Sequence, residues 1–163
     1  MPCIFIIQIM HTTYLALGAN LGDKQKMMAQ AIEEIGACIG SVTACSSFIE
    51  TLPWGFESCH TFLNAAVCVS TSMTPEELLE ATQDIERRMG RKVKSADGIY
   101  HDRTIDIDIL LYDDIILSEP RLVIPHPMMH LRRFVLEPLA EIAPHTVIPG
   151  TGKTVGELLS VVR

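Results

Sequence analysis

Apolar and polar positions along the chain change period several times, and each change marks an element. Residues 12 to 18 form a short apolar run that predicts a strand. Gly18-Ala-Asn-Leu-Gly-Asp23 follows with turn formers, and Asp23 is placed to cap a helix running to about Ile35. Gly36 and Gly40 are expected to end that helix, after which Val42 to Glu50 carries the β-branched and aromatic residues of a second strand. Thr51-Leu-Pro-Trp-Gly55 opens a loop, and Phe62 to Thr71 predicts a third strand that pairs with the second as a long-looped hairpin. Thr74-Pro-Glu-Glu77 combines an N-cap, a proline at the first helical position and a capping-box glutamate, so a second helix is expected to run to Met89. Its buried stripe is Leu78, Thr82, Ile85 and Met89, with Gln83 and Glu86 on a more polar face. Gly90 fits its C-terminal cap, and residues 91 to 103 are polar, basic and aperiodic, as in a loop.

The next strand carries the sharpest anomaly. Arg103-Thr-Ile-Asp106-Ile-Asp108-Ile-Leu-Leu-Tyr112 sets two carboxylates two residues apart in a very apolar run. Strand alternation sends Asp106 and Asp108 to one face, with Cα atoms roughly 6.5 Å apart. Ile105, Ile107, Ile109 and Leu111 are expected on the opposite face, with Leu110 and Tyr112 continuing the aspartate face. Two carboxylates at that spacing repel and are costly to bury, and a hard divalent cation such as Mg²⁺ relieves both costs. A half-exposed polar strand face remains the alternative at this point.

The order β-α-β-β-α-β is ferredoxin-like: an α+β fold whose antiparallel sheet carries both helices on one face. Residues 115 to 163 add a short strand around Ile115, the turn-rich Pro125-His126-Pro127, and helices near 130 to 142 and 154 to 162, a C-terminal extension to the same core. The whole of residues 1 to 163 is read as one domain, with Met10 an alternative start and the residues before it either a frayed lead-in or an extension of the first strand. The apolar first ten residues lack a basic n-region and a cleavage site, so no signal peptide is expected.

Composition narrows the classes. Hydrophobic content of 48% with 20% charged residues describes a soluble globular chain, and the net charge of −7 argues against a general nucleic-acid or acidic-membrane binder. The charge is unevenly spread: six of the thirteen Lys and Arg residues, Arg87, Arg88, Arg91, Lys92, Lys94 and Arg103, precede the two aspartates within seventeen positions. A basic segment beside an acidic pair suits a small polyanion delivered with its metal. The five cysteines include no Cys-x-x-Cys pair and read as reduced thiols of a cytoplasmic protein.

Other motifs weaken on inspection. Gly150-Thr-Gly-Lys-Thr154 lacks the glycine of a phosphate loop at Val147, and Thr154 with Glu157 explains the segment as a capping box. His126 and His130 stand at helical spacing, but prolines at 125 and 127 bar a regular helix through His126, which could still contact a phosphate. Phe62 and Asn64 share one strand face, an aromatic plate beside an amide that suits a flat heterocycle. Phe134, after Arg132 and Arg133, is a candidate second plate.

Several ordered motifs together resemble the 6-hydroxymethyl-7,8-dihydropterin pyrophosphokinase family. They are Tyr-Leu-Ala-Leu-Gly-Ala-Asn-Leu-Gly at 14 to 22, Ser-Ser-Phe at 46 to 48, Phe-Leu-Asn-Ala-Ala-Val at 62 to 67 and Pro-Glu-Glu-Leu-Leu at 75 to 79. Asp102 to Leu111 is the most specific, followed by Ile124-Pro-His-Pro and Arg132-Arg-Phe-Val-Leu-Glu-Pro-Leu139. The resemblance implies a cytoplasmic pyrophosphokinase: ATP donates its terminal pyrophosphate to a pterin alcohol, 6-hydroxymethyl-7,8-dihydropterin, and AMP leaves. It implies two Mg²⁺ ions on Asp106 and Asp108, and Arg91 and Arg103 acting on the transferring phosphates. It places Gln83, Glu86, Arg121, His126 and Arg132 at the nucleotide, with Glu86 arranging neighbours or meeting the ribose, and Thr51, Phe62, Asn64 and Phe134 around the pterin. The nucleophile is then the substrate hydroxyl, and Asp108 or a metal-bound water is the proton acceptor.

The chain departs from the family pattern between Arg91 and Arg103, where it is longer and carries Ile99-Tyr-His-Asp102. Lys92 and Lys94 both stand as the further basic residue of that loop, Leu52 and Trp54 differ from common occupants, and Pro127 stands where an aromatic is frequent. Loops at 51 to 61 and 91 to 103 are expected to close over the substrates. A monomer is expected, and the charge and hydropathy of the chain lead to no nucleic-acid or membrane partner. The rival reading is a non-catalytic ferredoxin-like ligand-binding module, which gives the paired aspartates no role.

Overall fold

The computed structural model describes residues 4, 6–53, 59–90 and 104–163. Residues 4 and 6–10 carry no secondary structure and their apolar side chains are exposed, and β1 begins at His11. The elements of the core are β1 (His11–Ala19), α1 (Lys24–Cys38), β2 (Ser41–Cys45), β3 (Ile49–Thr51), β4 (Phe62–Thr71), α2 (Pro75–Arg88) and β5 (Asp106–Tyr112). The extension adds β6 (Leu117–Ser118), β7 (Val123–Ile124), a 3₁₀ turn (Met129–Leu131), α3 (Arg133–Ile142), β8 (Val147–Ile148), β9 (Lys153–Thr154) and α4 (Val155–Val161).

Local chemistry accounts for most boundaries. The Asp23 side chain accepts from the Lys26 N–H at 3.1 Å and starts α1. Thr74 and Glu77 form the capping box of α2, Thr154 and Glu157 that of α4. Gly90, at φ +94°, turns the chain after α2 as only glycine does freely.

Some expectations need correction. α1 runs through Gly36 to Cys38: nothing lies near that glycine, and the buried stripe of Met28, Ala31 and Ile35 continues beyond it to Ile39. The second strand splits at Ser46: the Ser46 N–H and hydroxyl engage the Ala66 backbone, and the chain resumes as β3. The short strand expected around Ile115 lies at Leu117–Ser118 instead. The helix expected near 130 begins as the 3₁₀ turn and becomes α3 at Arg133.

The sheet runs β2-β4-β1-β5, with β3 also pairing β4, and all the pairings are antiparallel. α1 and α2 cover one face with Met28, Ile35, Leu78 and Ile85, all fully buried against Leu15, Leu17, Val67, Val69 and Ile107. Each such side chain contributes about 1.5–3 kcal/mol on burial. The opposite face is occupied at one end by the extension: Val135, Leu136, Leu139, Val155 and Leu158 pack on Ala66, Leu110 and Leu111.

A bulge in β5 reverses two expected directions. The β1 pairing jumps from Ile109 to Leu111 between Leu15 and Tyr14, leaving Leu110 as the extra residue. Leu110 and Leu111 therefore both join the cluster under α3, and Tyr112 joins the α1–α2 cluster, where its hydroxyl donates to the Met73 carbonyl at 2.7 Å. Strict alternation puts Leu111 with the isoleucines and Tyr112 with the aspartates; the bulge breaks the period after Ile109.

Candidate active site

Register brings the polar residues of three strands to one face. Gly18 of β1 pairs with Asn64 on one side and Asp106 on the other, and Ala16 pairs with Ala66 and Asp108. Directly paired residues project the same way, so Phe62, Asn64, Gly18, Ala16, Asp106 and Asp108 share a face, the one opposite α1 and α2. With strands about 4.8 Å apart, Asn64 and Asp106 stand about 10 Å apart across Gly18. The small residues of β1 leave a trough between them. A Cβ at Gly18 would meet Asn64 Oδ1 at 3.5 Å and Phe62 Cδ1 at 3.9 Å, so that trough is floored by glycine beneath the amide and the ring.

On the β4 side, Thr51 is the rung partner of Phe62, and the Thr51 hydroxyl accepts from Asn64 Nδ2 at 2.7 Å. The same Nδ2 reaches the Ile49 carbonyl at 3.4 Å. Asn64, 5% exposed, is thus oriented with its carbonyl oxygen over Gly18. Phe134 lies in the first turn of α3, which packs on β4 and also meets β1 and β3, so it sits over this face. The Arg132 guanidinium stacks on the Phe134 ring at 5.8 Å from its centroid, and Arg132 is itself buried.

On the β5 side, both aspartates are half-buried. Between them the Ile107 N–H donates to Glu86 Oε1 at 2.8 Å. Glu86, expected on a polar face of its helix, is 3% exposed and lies on the side of α2 turned to β5. Gln83, a turn earlier, is half-buried. Beyond the aspartates a groove of about 210 Å³ is lined by Leu79, Asp108, Ile109, Arg121, Leu122 and His126 among others. The bulge places His126 there: its N–H donates to the Leu110 carbonyl at 2.9 Å, and its Nδ1 accepts from the Met128 N–H at 3.2 Å. Asp108, Arg121 and His126, far apart in sequence, thus line one groove. Arg91, Arg103, Lys92 and Lys94 lie outside the described residues.

The donor set of Asp106 and Asp108 fits a hard cation. Carboxylate oxygens are the ligands Mg²⁺ prefers, and Mg²⁺ commonly takes one or two of them and completes its shell with phosphate and water. Among the described residues no group of three or more His, Cys, Asp or Glu side chains forms a cage that would bind such an ion without a substrate.

The sequence reading did not single out Gly18, Ala16, Leu79 or Leu122. A signal existed for Gly18, since glycine inside an apolar strand marks close approach of a ligand or backbone. The groove-lining leucines carry no such signal, because an apolar side chain looks the same in a core and in a pocket.

The chain is a ferredoxin-like α+β sheet that carries a carboxylate pair, an aromatic and amide trough and an adjoining groove. A family model described as 7,8-dihydro-6-hydroxymethylpterin-pyrophosphokinase (HPPK) matches residues 14–144. The chain belongs to that family. It is similar to a 2-amino-4-hydroxy-6-hydroxymethyldihydropteridine pyrophosphokinase of Porphyromonas gingivalis, 47% identical over 136 residues, covering 83% of this chain and 92% of that one. The enzyme of the same name from Methylorubrum extorquens is 46% identical over 152 residues, 93% of each chain. Among solved structures, a Plasmodium falciparum HPPK-DHPS triple mutant with SDX-DHP superposes with a TM-score of 0.75 at 17% identity, over 96% of this chain. The present chain spans 45% of that longer protein, and the likeness bears on the fold.

Proposed function

We propose that the chain transfers the terminal pyrophosphate of ATP to the hydroxymethyl group of 6-hydroxymethyl-7,8-dihydropterin and releases AMP, a step of folate biosynthesis. The observation that supports the reading is the row Asn64, Gly18, Asp106, in which an amide beside an aromatic ring and a carboxylate pair share one sheet face about 10 Å apart. That span suits a flat ring at one end and its hydroxymethyl arm reaching toward a polyphosphate at the other.

In this reading Phe62 and Phe134 flank the pterin, and the Asn64 carbonyl, held by Thr51, accepts from the donor edge of the ring. ATP takes the groove beside Asp108, with Arg121 and His126 on its wall and Leu79 and Leu122 against its apolar parts. Gln83 and Arg132 are assigned to the nucleotide on the family resemblance, Arg132 from its place against Phe134, and Glu86 holds β5 from behind. The substrate oxygen attacks the β-phosphorus and gives up its proton to Asp108 or to water, the bond from that phosphorus to the oxygen bridging the α-phosphate breaks, and the bridging oxygen leaves with AMP. Mg²⁺ held by Asp106 and Asp108 would neutralise phosphate charge. Arg91 and Arg103 are assigned to the transferring phosphates on the family resemblance.

The same reading takes the chain as one domain acting as a monomer in the cytoplasm. No described helix is long and apolar enough to cross a membrane. The test is AMP release measured with the pterin alcohol present and absent, for wild type and Asp106→Ala. Pterin-dependent AMP release that the substitution abolishes is expected. AMP release that survives the substitution sinks the metal assignment; wild-type AMP release without pterin dependence replaces the transfer with nucleotide hydrolysis, and no AMP release at all leaves the non-catalytic module.

A further inference from the structure

The trough has a support on its far side that takes no part in binding. Lys24, the first residue of α1, directs its ammonium at the base of the β3–β4 connection. It donates to Glu50 Oε1 at 3.3 Å, to the Thr61 carbonyl at 3.2 Å and to the Thr61 hydroxyl at 3.0 Å. The Thr61 hydroxyl in turn donates to the Glu50 carboxylate. Lys24 Nζ is therefore shared by two chain segments, one ending β3 and one beginning β4.

Each partner adjoins a residue of the trough. Glu50 precedes Thr51 and Thr61 precedes Phe62, and Thr51 and Phe62 form the last rung of the β3–β4 ladder. Because successive side chains alternate, Glu50 and Thr61 emerge on the α1 side while Thr51 and Phe62 emerge in the trough. Leu63, the rung partner of Glu50, is buried in the α1–α2 cluster and marks the same side. β3 is only three residues long. A strand that short gains little from its ladder and frays at its end, so an anchor at that end controls the placement of Thr51, and through Asn64 Nδ2 the direction of the amide. The Thr61 hydroxyl, then the Lys24 ammonium, hold the Glu50 carboxyl below the usual glutamate range, which keeps the anchor charged.

We propose that Lys24 is a positioning residue for the pterin trough, acting through Glu50 and Thr61 to fix the Thr51–Phe62 rung and the Asn64 amide. The proposal rests on the reading that Thr51, Phe62 and Asn64 bind the pterin. It predicts an effect confined to one substrate, since the ATP groove is built from α2, β5 and the segment from Pro120 to Pro127.

The experiment is steady-state AMP formation with the pterin alcohol and ATP varied in turn, for wild type, Lys24→Met, Lys24→Arg and Glu50→Gln. Lys24→Met keeps the alkyl stem and removes the charge. Its pterin KM is expected to rise about tenfold, the scale of lost preorganisation at a binding site, with kcat and the ATP KM within about twofold of wild type. Lys24→Arg recovers most of the pterin KM, and Glu50→Gln raises it in the same selective way. An unchanged pterin KM in Lys24→Met, or an equal rise in both KM values, overturns the assignment. Should Lys24→Met not fold, Glu50→Gln is judged by the same two criteria. Wild type without pterin-dependent AMP release fails the reaction itself and the role of Lys24 with it, whereas an active wild type with an indifferent Lys24→Met fails Lys24 alone.

Discussion

Glu86 and Ile107 meet through one hydrogen bond: the helix carboxylate accepts the strand N–H at 2.8 Å, between the two aspartates. β5 is the edge strand next to β1, so the outward N–H of Ile107 needs a partner other than a sheet neighbour. A buried glutamate supplies it and ties α2 to the strand that carries Asp106 and Asp108.

Removing that acceptor is predicted to cost stability and activity together. Glu86→Ala leaves a buried N–H without its partner, a loss of about 1–3 kcal/mol. Glu86→Gln keeps an acceptor oxygen and is expected to retain most of that stability. Urea unfolding of the three proteins checks the order, and a Glu86→Ala as stable as wild type contradicts it.

Asp106→Asn and Asp108→Asn are each expected to lower AMP release at least about a hundredfold while leaving the thermal midpoint near wild type. Neither side chain is needed by the apolar core, and the exchange is isosteric. Chelation by EDTA is expected to abolish activity and added Mg²⁺ to restore it. Full activity after chelation and dialysis contradicts the metal reading.

Two glycines are predicted to answer an added methyl in opposite ways. At Gly18 the new Cβ makes ordinary contacts of 3.5 and 3.9 Å, so Gly18→Ala should fold normally and raise the pterin KM by filling the trough. At Gly40 the Cβ would lie 2.1 Å from the Ser70 carbonyl oxygen, so Gly40→Ala should lose about 2 kcal/mol or more. Thermal unfolding beside pterin kinetics separates them; a destabilised Gly18→Ala with unaltered KM contradicts the trough.

Glu141 links α3 to the segment between β2 and β3. Its carboxylate accepts from the Ser47 hydroxyl at 2.6 Å and the Ser47 N–H at 2.9 Å, and these hold its carboxyl below the ordinary value of 4.5. A depressed folded value means that the native state binds fewer protons, so this stabilisation is present above about pH 4.5 and is lost as the pH falls through the folded value. Glu141→Gln should therefore unfold at lower urea than wild type at pH 7, with the gap narrowing by pH 3. A gap independent of pH contradicts the linkage.

Much of this protein was legible in the chain because the causes are local. The capping boxes at Thr74 and Thr154, the Asp23 cap and the span of β4 each depend on residues within a few positions of one another. Alternation likewise set Asp106 beside Asp108 on one face. Where a distant partner competes, the local signal fails. Ser46 leaves the strand for Ala66, and Glu86, which helix periodicity puts on a polar face, is buried because an edge strand lies over it.

By itself the sequence determined the family, the fold class, the order of the core elements and the pairing of two carboxylates on a strand. Tertiary structure alone decided that Gly18 floors a trough between Asn64 and Asp106, that the bulge at Leu110 hands a carbonyl to His126, and that Lys24 braces the trough from behind. The physical reason is range. A cap or an alternation is written in neighbouring residues, whereas register, a bulge and a hydrogen bond across 37 positions exist only once the strands have paired and both partners have been brought together.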